Sequence, residues 1–174
     1  MHTALFFFLY NLHSLSPSAF VFLAQYLPYL LLGGLFIYLF FAPQFSFWKR
    51  FFILLGVAAS SGLSYLVVFM IHLFYQTPRP FLAFPEIKPL VDASAEALSS
   101  FPSSHAATFF AIGMFLFFYH KRLGGLYLAA ALLVSLSRVV AGVHWPIDIL
   151  AGSLIGILCA LIIRKFATSI KKYL

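Results

Sequence analysis

Residues 51–75 read Phe-Phe-Ile-Leu-Leu-Gly-Val-Ala-Ala-Ser-Ser-Gly-Leu-Ser-Tyr-Leu-Val-Val-Phe-Met-Ile-His-Leu-Phe-Tyr, without one Asp, Glu, Lys or Arg. Coiled as a helix at about 1.5 Å per residue, the run exceeds the roughly 30 Å of a bilayer's hydrocarbon core. Working outward, further apolar runs cover Ala19 to Phe41, Ala106 to Tyr119, Leu123 to Ala141 and Ile147 to Ile163. The expectation is an all-α fold: one polytopic transmembrane helical bundle of five helices, a single domain over residues 1–174. The opening run Leu5 to Tyr10 is too short to span and reads as interfacial. A sixth helix requires it to join a re-entrant segment. Composition agrees, with 63% hydrophobic and 9% charged residues, where a soluble domain carries about a quarter charged. Cys159 is the only cysteine, so no disulfide can form within the chain. The first 16 residues lack a basic start and a small-residue cleavage site, and are not read as a signal peptide.

The net charge of +7 belongs to this topology, not to a nucleic-acid partner. Lys49 and Arg50 lie between the first two spans, Lys121 and Arg122 between the third and fourth. Arg164, Lys165, Lys171 and Lys172 follow the fifth. Five spans put these residues on one side, and the bias of Lys and Arg towards cytoplasmic loops makes that side the cytoplasm. Arg79, Lys88, Arg138 and all four acids, Glu86, Asp92, Glu96 and Asp148, fall on the other. Two ladders of small residues, Gly56-Ser60-Ser64 and Gly152-Gly156-Ala160, allow close helix contact in lipid, within one bundle or between copies.

Ionisable groups at span ends in so apolar a chain mark function, and here three clusters share the non-cytoplasmic face. His72 to Pro80 closes the second span, Pro102-Ser103-Ser104-His105 opens the third, and Ser137-Arg138 closes the fourth ahead of His144 and Asp148. Pro146 suits a helix start, which puts Asp148 in a first turn where it can fix the tautomer of His144 and leave one ring nitrogen free to attack. Ser103 or Ser104 can cap the third span, whose first-turn N–H groups then form an anion site. His105 faces the same anion as a proton donor. Arg79 and Arg138 supply permanent cations that grip phosphate oxygens. A nucleophile, an acid and cations around equatorial oxygens are what a five-coordinate phosphorus requires.

These residues resemble the phosphatidic acid phosphatase type 2 superfamily, whose motifs run Lys-x6-Arg-Pro, Pro-Ser-Gly-His and Ser-Arg-x5-His-x3-Asp. The chain has His72-x6-Arg79-Pro80, Pro102-Ser103-Ser104-His105 and Ser137-Arg138-x5-His144-x3-Asp148, so the resemblance covers spans two to five. It implies a two-step reaction without metal or cofactor on a membrane lipid phosphate or diphosphate. His144 attacks phosphorus, Asp148 orients it, His105 protonates the leaving oxygen, and Arg79, Arg138, Ser103 and Ser104 hold the phosphoryl oxygens. His72 stands where the family has Lys and, roughly two helical turns before Arg79, is expected to bind the same phosphate; Ser104 stands where the family has Gly. With the charge bias, the resemblance implies a bacterial inner membrane and an outward-facing site. Small bacterial undecaprenyl diphosphate phosphatases look similar, including a Pro-Arg-Pro-Phe run at Pro78 to Phe81. Lipid A 1-phosphatases and phosphatidylglycerophosphate phosphatases share the superfamily. Two alternatives stand beside hydrolysis: a phosphotransferase passing phosphate from undecaprenyl diphosphate to lipid A, and a non-enzymatic protein with a dead site. The segment Phe81 to Ser100 is expected either to rest on the leaflet as a lipid gate or to pack over the bundle.

Overall fold

The structure is a computed structural model that describes residues 2–41 and 46–171. Its helices are α1 (His2–Asn11), α2 (Pro17–Phe41), α3 (Phe47–Phe74), the short α4 (Pro80–Ala83), α5 (Ser104–Tyr119), α6 (Lys121–Val140) and α7 (Pro146–Lys171). By length and apolar character α2, α3, α6 and α7 can each cross a membrane. The fifth expected span, α5, has only 16 residues, about 24 Å. Its position explains how it can be short. It packs against α3, α6 and α7 at once and buries Ala106, Ala107, Phe109, Ala111, Ile112, Gly113, Phe115 and Leu116. A helix surrounded by protein has no lipid thickness to match.

Side chains set the ends. Ser46 accepts the Lys49 N–H at the start of α3 and Ser103 that of Ala106 at the start of α5. Between α5 and α6, the His120 Nδ1 accepts from Leu123 N at 3.1 Å, so one histidine both stops α5 and starts α6. Capping at Ser46 begins the second span four residues earlier than the apolar run suggests, and α7 continues well past Ile163. Lys49 and Arg50, Lys121 and Arg122, and Arg164 and Lys165 lie at one end of the bundle, as the alternation of helices requires. Lys172, expected with them, lies outside the described residues.

The opening segment forms α1, which is no sixth span. It lies against α6 and α7 at the opposite end. Phe6 is fully buried with its ring 5.0 Å from that of Trp145, and the Tyr10 hydroxyl bonds both N–H and C=O of Lys88. The 81–100 segment is thereby held down over the bundle. Ile87 and Val91 are buried, and Leu90 N donates to Ala141 O at 3.0 Å. Packing, not a free leaflet-bound flap, describes this loop.

Both small-residue ladders are used inside the chain. A Cβ at Gly56 would enter the ring of Phe115, itself fully buried. A Cβ at Gly152 would stand 2.4 Å from Ser103 O, and one at Gly156 2.2 Å from Ala107 O. The α5 backbone therefore lies directly on the glycine face of α7. Overpacking of such a contact costs about 1–3 kcal/mol, whereas Gly62 has nothing within 4 Å of its added Cβ. Gly152→Ala should lower the thermal midpoint in detergent micelles and Gly62→Ala should not. Equal midpoints for the two variants would contradict the close contact.

Candidate active site

The end of α6 reverses sharply. Gly142 adopts φ +75°, a left-handed conformation that glycine takes without steric cost. Its N–H donates to Val139 O at 2.9 Å and the Val143 N–H to Arg138 O at 3.2 Å, the paired bonds that close a helix terminus. The chain then passes His144 and enters α7 at Pro146. Asp148 is the third residue of α7, and its carboxylate accepts the Trp145 N–H at 2.9 Å. The five residues between Arg138 and His144 are thus the length of one helix end and its reversal.

His144 is sealed at 1% exposure. Its Nδ1 lies 3.0 Å from Ser100 O and 3.3 Å from Asp148 Oδ2. Both partners are acceptors, so this nitrogen carries the proton. Its Nε2 faces Arg79 Nη1 at 3.3 Å, a group that can only donate; the Nε2 lone pair therefore points at the guanidinium. Burial, with Arg79 and Arg138 close by, holds the imidazole well below the usual histidine range, and the ring is neutral. Asp148 is equally buried, and its Oδ2 also accepts from the Ser100 hydroxyl at 2.6 Å.

Arg79 precedes α4 at 1% exposure. Its Nε donates to Glu96 O (2.8 Å), Nη1 to Val143 O (2.8 Å), and Nη2 to the Glu96 carboxylate (2.9 Å) and Ser99 O (3.4 Å). Arg138 is held differently. Its Nη1 reaches Ala24 O at 3.5 Å, and its Nε has no hydrogen-bond partner among the described residues. His105, in the first turn of α5, lines a cavity of about 280 Å³ together with Arg138, Glu96, Gln25 and Tyr29. Ser103 caps α5, and its own N–H donates to Asp148 O at 3.0 Å. Ser104 begins the helix, where first-turn N–H groups have no intrahelical acceptor. His105 and Arg138 share their cavity with Glu96, which pairs with Arg79, and Arg79 meets His144, so the three sequence clusters converge.

His72 sits at the rim. Its Nε2 lies 3.0 Å from Pro102 O, so the ring engages the turn that leads into α5.

Sequence reasoning missed several members. Ser100 is fully buried and serves both His144 and Asp148, yet nothing distinguishes it from Ser99 in the sequence. The Glu96 carboxylate reaches Arg79 from an irregular loop without periodicity. Thr77 fastens the two loops together: it donates to Leu98 O, accepts from Ser100 N, and takes the Phe101 N–H on its hydroxyl at 2.8 Å. Among the described residues, no group of three or more His, Cys, Asp or Glu gathers as a metal site would require.

Comparison with known proteins adds independent support. The bacitracin transport permease protein BcrC of Bacillus licheniformis is 36% identical over 144 residues, which cover 82% of this chain and 67% of that protein. The undecaprenyl-diphosphatase BcrC of Bacillus subtilis (strain 168) is 30% identical over 117 residues, 67% of this chain and 59% of that one. The chain therefore spans only about three fifths to two thirds of these relatives' length. The crystal structure of Aquifex aeolicus LpxE shares the fold with a TM-score of 0.77 and 27% identity, covering 94% of each chain. Residues 51–171, the stretch from α3 to the end of α7 that carries every cluster described above, match the sequence profile of the PAP2 superfamily, and the chain belongs to that family.

Proposed function

We propose that this membrane protein is a lipid phosphatase that works through a phosphohistidine on His144, with a lipid diphosphate of the undecaprenyl type as its first candidate substrate. One observation carries the reading: a buried, neutral His144 has its proton fixed on Nδ1 and its Nε2 lone pair turned towards a guanidinium. A phosphoryl group gripped by Arg79 lies in front of that lone pair. Nε2 forms the bond to phosphorus as the bond to the leaving oxygen breaks, and His105 gives that oxygen its proton. Water then attacks phosphorus with His105 as base, the N–P bond breaks, and inorganic phosphate leaves. Asp148 and Ser100 O stabilise the positive charge that the ring acquires in the first step. Arg79, Arg138, Ser103 and the N–H groups near Ser104 take the three equatorial oxygens. The substrate class is supported by the likeness to the undecaprenyl-diphosphatase of Bacillus subtilis.

His144→Ala should lose nearly all activity, and denatured wild-type enzyme quenched in turnover should carry acid-labile phosphate. His105→Ala should slow hydrolysis by about 10²- to 10⁴-fold, the usual contribution of a general acid. Activity should survive EDTA, because the cationic role falls to the guanidinium groups; loss on chelation, restored by a divalent metal, would overturn the mechanism. Free phosphate counted with and without an acceptor lipid separates the hydrolase from the transferase.

The separation of charge between the two ends supports a site on the outer face of a bacterial inner membrane. In a Cys159→Ser background, Ala95→Cys should react with an impermeant thiol reagent in intact cells and Lys121→Cys should not. The reverse pattern would place the site inside.

His72 we assign to bracing the turn at Pro102, in preference to gripping phosphate as the family Lys is expected to. His72→Leu should then lower the thermal midpoint, with the loss of one hydrogen bond worth about 1 kcal/mol. It should leave KM flat between about pH 5 and pH 9, a range around the ~6.5 of a free histidine. A KM that rises with pH in the wild type and not in His72→Lys would restore the phosphate role.

A further inference from the structure

Arg79 spends all five of its N–H groups in this structure, but not on equal terms. Three go to backbone carbonyls of packed segments: Glu96 O, Val143 O and Ser99 O. Those fix the guanidinium whatever else happens. The remaining two are one on each terminal nitrogen. Nη1 holds the His144 Nε2 lone pair at 3.3 Å, and Nη2 holds the Glu96 carboxylate at 2.9 Å. A phosphoryl group can reach Arg79 only by taking these two places.

The two ends of the Glu96 ion pair are unlike. The Arg79 side chain is 2% exposed and the Glu96 side chain 66%. A carboxylate so exposed, on the short helical turn Ser94–Glu96, keeps its water when it swings away, so its release costs little. Glu96 also lines the 280 Å³ cavity that His105 and Arg138 line. One exposed negative charge therefore pairs with Arg79 and stands beside the cavity that Arg138 lines.

Resting on the phosphatase reading, we infer that Glu96 is a displaceable internal anion: its carboxylate occupies the Arg79 position that a phosphate oxygen takes, and it leaves as the substrate binds. With the guanidinium held in place, the phosphoryl group accepts the Nη1 N–H in place of His144 Nε2, which frees that lone pair for attack. Nucleophile and anion site are thus unmasked together, and the affinity for any phosphate-like anion is set partly by competition with Glu96.

The test uses the full chain in detergent micelles and orthovanadate as the probe, titrated by calorimetry so that no turnover is needed. Glu96→Gln and Glu96→Ala should tighten vanadate binding by roughly 2- to 5-fold, the scale of an ion pair with one exposed partner. KM for a lipid phosphate should fall by a similar factor. Glu96→Asp should stay nearer the wild type. In a Cys159→Ser background, Ala95→Cys should react faster with thiol reagent when vanadate is present. Vanadate binding that weakens or stays unchanged in Glu96→Gln overturns the inference, as does a wild type and a Gln variant that both fail to bind. A positioning role for the carboxylate predicts the opposite sign, weaker binding with lower kcat. Because the titration is independent of catalysis, an active His144→Ala variant would remove the phosphohistidine reading and leave this result standing.

Discussion

Contact between the backbones of α5 and α7 is the constraint from which the rest of the structure follows. Gly152 and Gly156 let Ser103 O and Ala107 O approach closer than any side chain would permit. In lipid, where apolar surface gains little by meeting apolar surface, such close approach is what holds helices together. It also aligns two helix starts. Ser103 N bonds Asp148 O across the seam, so the first turn of α5, which favours anions, faces the first turn of α7, which carries Asp148. A two-residue slip of either helix would separate His105 from His144.

That alignment has an electrostatic consequence. Arg79 and Arg138 are both nearly sealed from water, a condition that costs several kcal/mol per ion unless polar groups compensate. For Arg79 the compensation is thorough and comes from loops that the bundle itself does not need: residues 94–99 and 143–144. Those loops are in turn fastened by Thr77, by Tyr10 and by the Trp145–Phe6 contact. Arg138 receives far less, with one long bond to Ala24 O and an unpartnered Nε among the described residues. Arg138 is thus a buried cation with little compensation. Stability is given up there, and under the proposed reaction anion affinity is what the arrangement gains.

How much of this could be read from the sequence divides along physical lines. The spans were legible because a bilayer imposes length and apolarity on every helix that faces it. Even so, the start of α3 depended on the cap at Ser46, and α5 was marginal by length because protein, not lipid, surrounds it. Arg79, His105, Arg138, His144 and Asp148 could be named as site candidates because an ionisable group in an apolar chain is conspicuous. The structure brings the three clusters that hold them to one place. Ser100, Glu96 and Thr77 were not legible. They act through a loop whose path is set by contacts with α1 and with the α6–α7 reversal, and no period in the local sequence encodes such contacts. His72 shows the limit from the other side. Its spacing to Arg79 suggested a shared ligand, while the turn at Pro102 offers its ring a carbonyl acceptor.

The loop over the site also gives α1 a structural role. The bundle of α3, α5, α6 and α7 already brings the three clusters together, yet two of the carbonyls that hold Arg79 come from the folded-down 81–100 segment. Loops with few buried contacts open locally at little free-energy cost. Here Phe6, Phe7 and Tyr10 of α1 supply the missing contacts, through Trp145, Phe84 and Lys88. Helix α1 therefore reaches the site at a distance: it keeps the loop down, the loop keeps Arg79 in place, and under the proposed reaction Arg79 sets where a phosphoryl group stands relative to His144. The Glu96 side chain, on the exposed edge of that loop, escapes the clamp. Rigidity in the carbonyls and freedom in one carboxylate are compatible because different parts of the same short turn supply them.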